Sequence, residues 1–551
     1  MKRALVVLSA FSLVMAFLPS FIQAQYPYWR YDRLIEGNTG HQASSPRVAV
    51  SGTNAVAVWC QEYDGTFRVY SNYSTNGGAT WHNAKIIEDN VGCVASGVQV
   101  ALSGSKAVAV WTQTIGSYYQ VHANYSTDGG ATWHTDQKID YPAGSHSMGV
   151  QVAVSGTRVA VVWFHEYLGA LHVYFNSSQD AGKTWRNYPL QIETTTDYES
   201  QYPHVALSGA HIAVVWTRTD GSNKRVFYNA SADGGITWHG YNILDDNAGY
   251  DVYAPKVAVS GTNAVAVWEQ MSSTGNWRIY SSYSTDGGAT WQADKLVADL
   301  GTANQNKPQV VISRTRVVAV WRQANLGGAA LIYSCFSPDG GANWSTAQPI
   351  ETSNGFSADN PQLALTGNGV VAVWGQSDGN MSRIFANYSP DKGAHWRSER
   401  MIDGLAGTSG VEPQVALSGS AIVAAWRVQD GSNSRVAANN AIYSAGQKDK
   451  LKPSLLTSPP SGATDLTTAV AFKWKDTNSL PQELKLKIRL KPAGGLYKYF
   501  TVPADYTSYV ISGLLRGKTY SWNVQAVGNG TKILNSTWAN GGTDWKFATA
   551  I

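Results

Sequence analysis

The stretch "VAVSGTNAVAVW" occupies residues 48–59, and the same twelve residues return at 257–268. The tryptophan that ends it recurs every 52 or 53 residues, at Trp59, Trp111, Trp163, Trp216, Trp268, Trp321, Trp374 and Trp426. A fixed period near 50 residues is typical of repeat proteins, in which each unit buries its apolar faces against its neighbours. The sequence therefore predicts eight units of one kind.

Each unit contains four segments with strand composition, which we name A to D. In the first unit they are "PRVAVSG", "NAVAVWCQ", "FRVYSNYS" and "AKIIED". Four strands in about 50 residues are typical of a propeller blade. The last unit has A, B and C but no D, whereas residues 29–36 supply a D strand alone. We predict an all-β, eight-bladed β-propeller with four-stranded blades, whose N-terminal strand closes the last blade; seven blades or an open solenoid are the alternatives.

The turns between strands C and D share a second pattern. They read "STNGGATW" (74–81), "STDGGATW" (126–133 and 284–291), "SQDAGKTW" (178–185), "SADGGITW" (231–238), "SPDGGANW" (337–344) and "SPDKGAHW" (389–396). The acidic side chain can accept backbone N–H groups, glycine supplies positive φ, and tryptophan packs on the sheet. The structural acceptors are Asn76, Asp128, Asp180, Asp233, Asp286, Asp339 and Asp391.

These octapeptides resemble the Asp box, S-x-D-x-G-x-T-W, of sialidases and bacterial neuraminidase repeat (BNR) proteins. The resemblance covers residues 25 to about 446 and implies a sialidase-superfamily β-propeller, with the boxes away from any catalytic centre. Enzymes of that family share an early Arg-Ile-Pro segment, three substrate-binding arginines, a Tyr–Glu nucleophile pair and an Asp acid/base. The nearest match to the first element is Pro46-Arg47-Val48, in a different order. The resemblance therefore assigns no catalytic residue here.

The composition limits the cellular setting and the partners. Charged residues are 15% of the chain, the net charge is +4, and no basic tract is present. We therefore expect no nucleic-acid partner. Lys2 and Arg3, an apolar run and Ile22-Gln23-Ala24 predict a signal peptide over 1–24 and a secreted or extracytoplasmic bacterial protein. We also expect no membrane insertion, no metal, no cofactor and a monomer.

The chain divides after the repeats. The propeller is assigned to 25–446 and a Gly/Lys/Pro linker to 447–456. Residues 457–551 include "TSPPSGATDLTTAVAFKWKD", "YVISGLLRGKTYSWNVQAVG" and "TDWKFATA", which resemble a bacterial fibronectin type III module. This resemblance implies a β-sandwich that acts as a spacer or adhesive unit.

The variable B–C and D–A loops share one face of a propeller, where function tends to reside. Aromatic and carboxylate side chains suit sugar rings, which present C–H patches and hydroxyls. Drift of unconstrained loops is the alternative explanation for their variation. The predicted ligand residues are Glu62, Tyr63, Tyr119, His165, Glu166, Tyr167, Tyr198, Glu199, Tyr202, Tyr250, Asp251, Tyr253 and Trp277.

Two other repeated positions carry polar residues. The residue before each "VAV" motif is polar in all eight units and could line a central channel, where it would bind a ligand or only bond to water and its neighbours. These residues are Arg47, Gln99, Gln151, His204, Lys256, Gln309, Gln362 and Gln414. Strand C carries arginine in five units, at Arg68, Arg225, Arg278, Arg383 and Arg435. We expect those arginines to pair locally rather than to build one site.

The sequence favours a secreted protein that binds a glycan or another extracellular ligand through the B–C/D–A loop face. An exo-sialidase-like glycoside hydrolase and a structural or adhesive envelope protein are the alternatives. Because no catalytic set can be assigned, binding without catalysis is preferred.

Overall fold

The structure is a computed structural model. It describes residues 28–30, 32–37, 40–90, 93–141, 145–167, 169–193, 198–301, 303–325, 328–351, 355–405, 407–431, 433–442, 449–450, 455–461, 463–466, 469–475, 485–503, 508–512, 514–527, 533–534 and 544–549. The predicted signal peptide and most of the linker lie outside these residues. The described chain is all β; it contains no helix, and so no helix that could cross a membrane.

Strands β1 to β33, numbered along the chain, form eight antiparallel sheets in the described residues. The A strands are β3 (Ala43–Ser51), β7 (Ala95–Ser103), β11 (Ser147–Ser155), β15 (Ser200–Ser208), β19 (Val252–Ser260), β23 (Gln305–Ser313), β27 (Ala358–Thr366) and β31 (Ser409–Ser418). The B strands are β4 (Asn54–Tyr63), β8 (Lys106–Ile115), β12 (Arg158–Tyr167), β16 (His211–Thr219), β20 (Asn263–Met271), β24 (Arg316–Asn325), β28 (Gly369–Ser377) and β32 (Ala421–Asp430).

The C strands are β5 (Thr66–Ser74), β9 (Tyr118–Ser126), β13 (Ala170–Ser178), β17 (Lys224–Ser231), β21 (Trp277–Ser284), β25 (Gly328–Ser337), β29 (Ser382–Ser389) and β33 (Asn433–Ile442). The short D strands are β6 (Lys85–Ile86), β10 (Gln137–Lys138), β14 (Leu190–Gln191), β18 (Asn242–Ile243), β22 (Lys295–Leu296), β26 (Gln348–Pro349) and β30 (Arg400–Met401). In the last sheet β1 (Tyr28–Trp29) and β2 (Arg33–Leu34) take the D position against β33.

The B strands form the centre of each sheet. In β4 every residue from Ala55 to Trp59 is fully buried, and the tryptophan at this position is fully buried in all eight sheets. Small and β-branched residues suit a strand covered on both faces, because neighbouring sheets can approach closely over them. Alternating alanine and valine thus explain the repeated motif.

Two sets of hydrogen bonds join neighbouring sheets. At the A–B turns, a backbone N–H donates to a serine Oγ of the preceding sheet, as from Gly104 to Ser51 at 2.8 Å. On strand C, an asparagine donates to a carbonyl beyond the preceding D strand, as from Asn124 to Ile87 at 2.7 Å. Repetition of these contacts fixes the angle between successive sheets.

The same two contacts connect the last sheet to the first. Gly52 N–H donates to Ser418 Oγ at 2.9 Å, and Asn72 Nδ2 donates to the Ile35 carbonyl at 2.8 Å. Trp29 is the register partner of Ala441. The A strands also contact one another in sequence, with β3 against both β7 and β31. The arrangement is that of a β-propeller built from antiparallel four-stranded sheets.

The Asp boxes are self-bonded turns. In the box at 284–291, Ser284 Oγ donates to Asp286 Oδ1 at 2.7 Å, and Asp286 accepts the Thr290 N–H at 2.9 Å and its hydroxyl at 2.5 Å. Gly130 in the second box has φ of 91°, and a Cβ there would lie 2.9 Å from Val56 of the preceding sheet. The boxes therefore use glycine where sheets meet, and their carboxylates are occupied by local bonds.

The C-terminal strands form a separate group. They are β34 (Asp449–Lys450), β35 (Leu455–Ser458), β36 (Ala463–Leu466), β37 (Val470–Lys475), β38 (Lys485–Pro492), β39 (Lys498–Pro503), β40 (Ser508–Ile511), β41 (Thr519–Val527), β42 (Ile533–Leu534) and β43 (Trp545–Thr549). One sheet has the order β35-β37-β40 and another β36-β43-β41-β38-β39, and β34 pairs with β42. Phe472, Trp522 and Phe547 are buried and in ring contact.

Candidate functional site

Every A strand contains a β-bulge near its start, on the side of the B–C and D–A loops. In the first sheet the register shifts between Ser44 and Arg47. One residue in each bulge has φ between 49° and 67°, a left-handed conformation that strains most side chains. These residues are Ser45, Gly97, Gly149, Tyr202, Ala254, Lys307, Asn360 and Glu412. The bulges re-aim the backbone just before the ring of polar residues predicted from the sequence.

The eight polar ring residues are all half-buried. Hydrogen bonds join ring residues to the next A strand: Arg47 Nε donates to Gln99 Oε1 at 3.1 Å, and His204 Nδ1 accepts the N–H of Val257, which follows the ring residue Lys256, at 3.3 Å. Burial lowers the pKa of His204 well below its ordinary value, and the charge of Lys256 lowers it further. His204 is therefore a neutral acceptor in the ring.

The predicted ligand residues lie mostly at strand ends rather than in free loops, because the B–C hairpins are tight. Five tyrosines and Glu199 are exposed, whereas Glu62, Glu166, Tyr250, Asp251, Tyr253 and Trp277 are half-buried. The exposed tyrosines are Tyr63, Tyr119, Tyr167, Tyr198 and Tyr202.

The prediction that His165 lies in a ligand-binding loop is corrected by its burial. It sits within β12 and is fully buried, with Nδ1 2.8 Å from Ser147 Oγ. Burial lowers its pKa to about 4, assisted by the charges of His172 and Lys138. The β12 strand extends to Tyr167, so alternation turns residue 165 into the sheet interface. In five sheets the same position holds a glutamine that accepts the indole N–H, as Gln61 does from Trp59 at 3.0 Å.

Glu62 and Glu166 do not share a sheet or adjoin one another. They occupy equivalent positions on β4 and β12, in the first and third sheets, with β8 of the second sheet between them. A glycosidase needs two carboxyl groups flanking one bond. The structure brings no such pair together from these two glutamates.

One group of predicted residues does come together, between the fourth and fifth sheets. The rings of Tyr253 and Trp277 are in edge contact with centroids 5.3 Å apart, and Lys224 Nζ lies 4.5 Å from the Tyr253 centroid. Asp251 Oδ1 accepts the Lys224 N–H at 2.8 Å. We call Lys224, Asp251, Tyr253 and Trp277 the aromatic cluster. It combines two aromatic faces with a cation and a carboxylate.

The carboxylate of Asp251 is also a structural latch. Residues at its repeat position accept an N–H near the start of strand C in the preceding sheet: Asn304 Oδ1 accepts from Trp277 at 2.9 Å, and Ser357 Oγ accepts from Ala330 at 3.1 Å. His146 Nδ1 does so for Tyr119 at 3.3 Å. The latches hold neighbouring loops together, so the aromatic cluster has a fixed geometry.

The strand C arginines pair locally, as predicted. Arg225 Nε lies 2.6 Å from Asp245 Oδ2, and Arg435 Nε lies 2.7 Å from Glu36 Oε1. Arg68 pairs with Glu88, and Arg383 with Asp403. Arg278 instead donates to the Ala303 carbonyl at 2.7 Å. The partners of the other four are buried acids after the D strands, so these arginines form no common substrate clamp.

The sequence did not single out a polar network around the Lys307 bulge. Lys307 Nζ contacts Asp359 Oδ1 at 2.7 Å and Asn360 Oδ1 at 2.9 Å, while its N–H donates to Glu269 Oε1 at 2.6 Å. Arg322 Nε lies 3.6 Å from Asp359. Burial raises the pKa of Glu269. Aligning the repeats at the position two residues before the polar ring would have found Lys307 and Asn360. Within the described residues no group of three or more His, Cys, Asp or Glu side chains is arranged to hold a metal ion.

Solved structures that match this chain have low identity to it and low TM-scores. A Dyadobacter fermentans protein of unknown function is 17% identical, covering 56% of this chain and 97% of its own, with a TM-score of 0.37. Trypanosoma rangeli sialidase is 12% identical, with 95% and 93% covered and a TM-score of 0.35. The catalytic domain of a Coprinopsis cinerea GH62 α-L-arabinofuranosidase is 13% identical, with 44% and 90% covered and a TM-score of 0.26. Identities this low do not transfer a substrate.

The comparison with known protein families agrees with the Asp-box turns seen in the structure. No curated protein matches the sequence. The family model described as a BNR repeat-like domain matches residues 35–214 and 214–367, which together exceed half of the 551 residues. The chain therefore belongs to the BNR repeat-like family, as its octapeptides predicted.

Proposed function

We propose that this protein is a secreted, monomeric, eight-bladed propeller that binds a glycan through the face carrying its B–C and D–A loops, without cleaving it. The observation that carries the proposal is the aromatic cluster, in which Tyr253 and Trp277 are half-buried and latched in place. Preorganised aromatic faces beside polar groups suit the C–H patches and hydroxyls of a sugar ring. Tyr202, which is 54% exposed, lies on the neighbouring A strand and could extend the surface.

Eight blades are part of the proposal, as is a fibronectin type III-like domain after them. The blade count is supported by eight successive sheets and by the contacts from Gly52 to Ser418 and from Asn72 to Ile35. The sandwich is supported by two separate antiparallel groupings, β35-β37-β40 and β43-β41-β38-β39, and by buried aromatic residues between 472 and 547. Secretion is supported by the sequence of residues 1–24.

A glycan array tests the proposed function. The mature chain should bind a defined set of glycans, and Tyr253→Ala or Trp277→Ala should weaken binding by about tenfold or more, as expected for aromatic anchors. Tyr188→Ala is the matched control, because Tyr188 is 66% exposed and contacts Tyr141 rather than the cluster. No binding to any glycan, or binding unaffected by both cluster variants, would overturn the proposal.

The hydrolase alternative has a separate readout. Incubation with a fluorogenic sialoside should give no turnover by the mature chain. Turnover that Glu62→Gln or Glu166→Gln abolishes would replace the binding proposal with a glycosidase, because a catalytic carboxyl group cannot be exchanged for an amide without loss of proton transfer.

A further inference from the structure

The polar ring has an uneven charge distribution. Five of its eight positions are glutamine and one is the neutral His204, whereas the other two are the cations Arg47 and Lys256. No ring position holds a carboxylate. All eight side chains are half-buried, so water and small ions can reach the space between the A strands. The ring itself therefore carries a net positive charge.

The two cations face each other across the ring. Arg47 lies on β3 of the first sheet and Lys256 on β19 of the fifth, so three sheets separate them in either direction along the series of contacting A strands. The charge of Arg47 is close enough to lower the pKa of Lys256, after the larger effect of burial, to about 8. Like charges held this way repel each other, and the repulsion costs stability.

Neither cation forms an ion pair within the described residues, although the larger effect of burial, which lowers the pKa of Arg47, is opposed by the charge of Glu412, which raises it. Among the described residues Lys256 forms no ion pair and its ammonium group has no hydrogen-bond acceptor. Arg47 donates only to neutral oxygens, from Nε to Gln99 Oε1 at 3.1 Å and from Nη1 to the Pro46 carbonyl at 2.9 Å. The nearby carboxylate of Glu412 is taken by Arg427 at 3.0 Å and by the Ser45 N–H at 3.2 Å. A half-buried ammonium without an acceptor from the protein is left to pair with water or with an anion from solution.

We propose that the channel binds one small, doubly charged oxyanion, of the sulfate or phosphate type, between Arg47 and Lys256. Two opposed cations match a divalent charge, and tetrahedral oxygens can accept hydrogen bonds from both cations while amide groups of the ring glutamines donate to the rest. The site is separate from the aromatic cluster and does not depend on glycan binding. It lies on the A strands.

Isothermal titration of the mature chain with sodium sulfate, at ionic strength held constant with chloride, tests the proposal. The wild-type chain should bind one sulfate saturably. Arg47→Gln and Lys256→Gln should each weaken binding by about tenfold or more, since a hydrogen bond to a charged group is worth that much. Glutamine is a compatible replacement, because five other sheets carry it at this position.

A control and a stability measurement keep the test decisive. Lys106→Gln with Lys183→Gln removes the same charge elsewhere on the propeller and should leave sulfate binding unchanged. Without sulfate, the Arg47→Gln/Lys256→Gln double variant should melt at the same temperature as the wild-type chain or higher, because the repulsion is gone. The proposal is overturned if the wild-type chain shows no saturable sulfate binding, or if the double variant binds sulfate as tightly as the wild-type chain does.

Discussion

Replacing Ile35 with alanine tests whether the N-terminal segment packs as part of the last sheet. Ile35 is 3% exposed and packs in a cluster with Trp59 and Val436. Its N–H donates to the Val436 carbonyl at 3.0 Å, and its carbonyl accepts from Asn72 at 2.8 Å. Both backbone contacts survive the substitution, so the change in stability reports side-chain packing.

The expected magnitude follows from the volume removed. Shortening a buried isoleucine to alanine typically costs about 2–5 kcal/mol, from lost transfer free energy and the cavity that remains. The neighbours of Ile35 include the small residues Ala43, Ala57, Ala425 and Ala438, which cannot extend into the cavity. We therefore expect about 3 kcal/mol of destabilisation, within that range.

The repeat supplies a matched control. Ile87 is 4% exposed at the equivalent position after the first sheet's D strand, its N–H donates to Val69 at 2.9 Å, and its carbonyl accepts from Asn124. Urea unfolding of the mature chain, followed by tryptophan fluorescence, should give similar losses for Ile35→Ala and Ile87→Ala. A loss below about 0.5 kcal/mol for Ile35→Ala, the size expected at an exposed site, together with a large loss for Ile87→Ala would refute the reasoning.

Substitutions at three further positions, each of which varies among the repeats, test the roles of individual side chains. His165→Gln should stabilise the fold by about 1 kcal/mol at neutral pH, since the amide can accept the unpaired indole N–H of Trp163. It should also flatten the loss of stability as pH falls from about 6.5 towards 4, because the pKa of the buried His165 is lowered to about 4 and the unfolded chain takes up the proton first. Leu331→Arg should flatten the fall in stability as pH rises from about 4.5 through 7, because burial raises the pKa of Glu351 to about 7 and a guanidinium would stabilise its charged form. Asp286→Ala should cost about 1 kcal/mol by removing the box acceptor, whereas asparagine, already present in the first box, should cost less.

Urea midpoints across pH 4 to 8 check the two titration predictions, and midpoints at pH 7 check the box. Identical pH profiles for wild-type and His165→Gln chains would contradict the burial argument. A profile for Leu331→Arg as steep as that of the wild-type chain would show that the cation does not reach Glu351. Equal losses for alanine and asparagine at 286 would mean that the acceptor oxygen does not stabilise the turn.

The repeat made the sheet order predictable, because strand period, turn residues and buried tryptophans all point to one architecture. The sequence also located the aromatic cluster in part, since Asp251, Tyr253 and Trp277 interrupt an otherwise regular pattern. It missed Lys224, because that residue joins the cluster through a hydrogen bond between two sheets. Its N–H donates to Asp251, which lies 27 positions further along the chain. Similarity between units predicts the fold within a unit but not which side chains meet across a boundary.

The placement of His165 was predicted wrongly for a different reason. The segment "FHEYLGAL" reads as a loop because polar and aromatic residues follow the tryptophan. The strand nevertheless continues to Tyr167, where its pairing with Ala170 leaves room for only a tight turn. Once the strand is extended, period-two alternation buries residue 165. Strand ends at a hairpin are therefore the least predictable boundaries, and the predicted ligand residues cluster there.

The central claim is that the N-terminal segment and β33 form one sheet that closes the propeller. Amide hydrogen exchange of the mature chain tests it most directly, by comparing the N–H of Ile35 with those of Ile87 and Ile402, which make equivalent bonds after other D strands. The account predicts that the Ile35 amide exchanges as slowly as the other two. Exchange of Ile35 at the rate of an unprotected amide, while Ile87 and Ile402 stay protected, would contradict it.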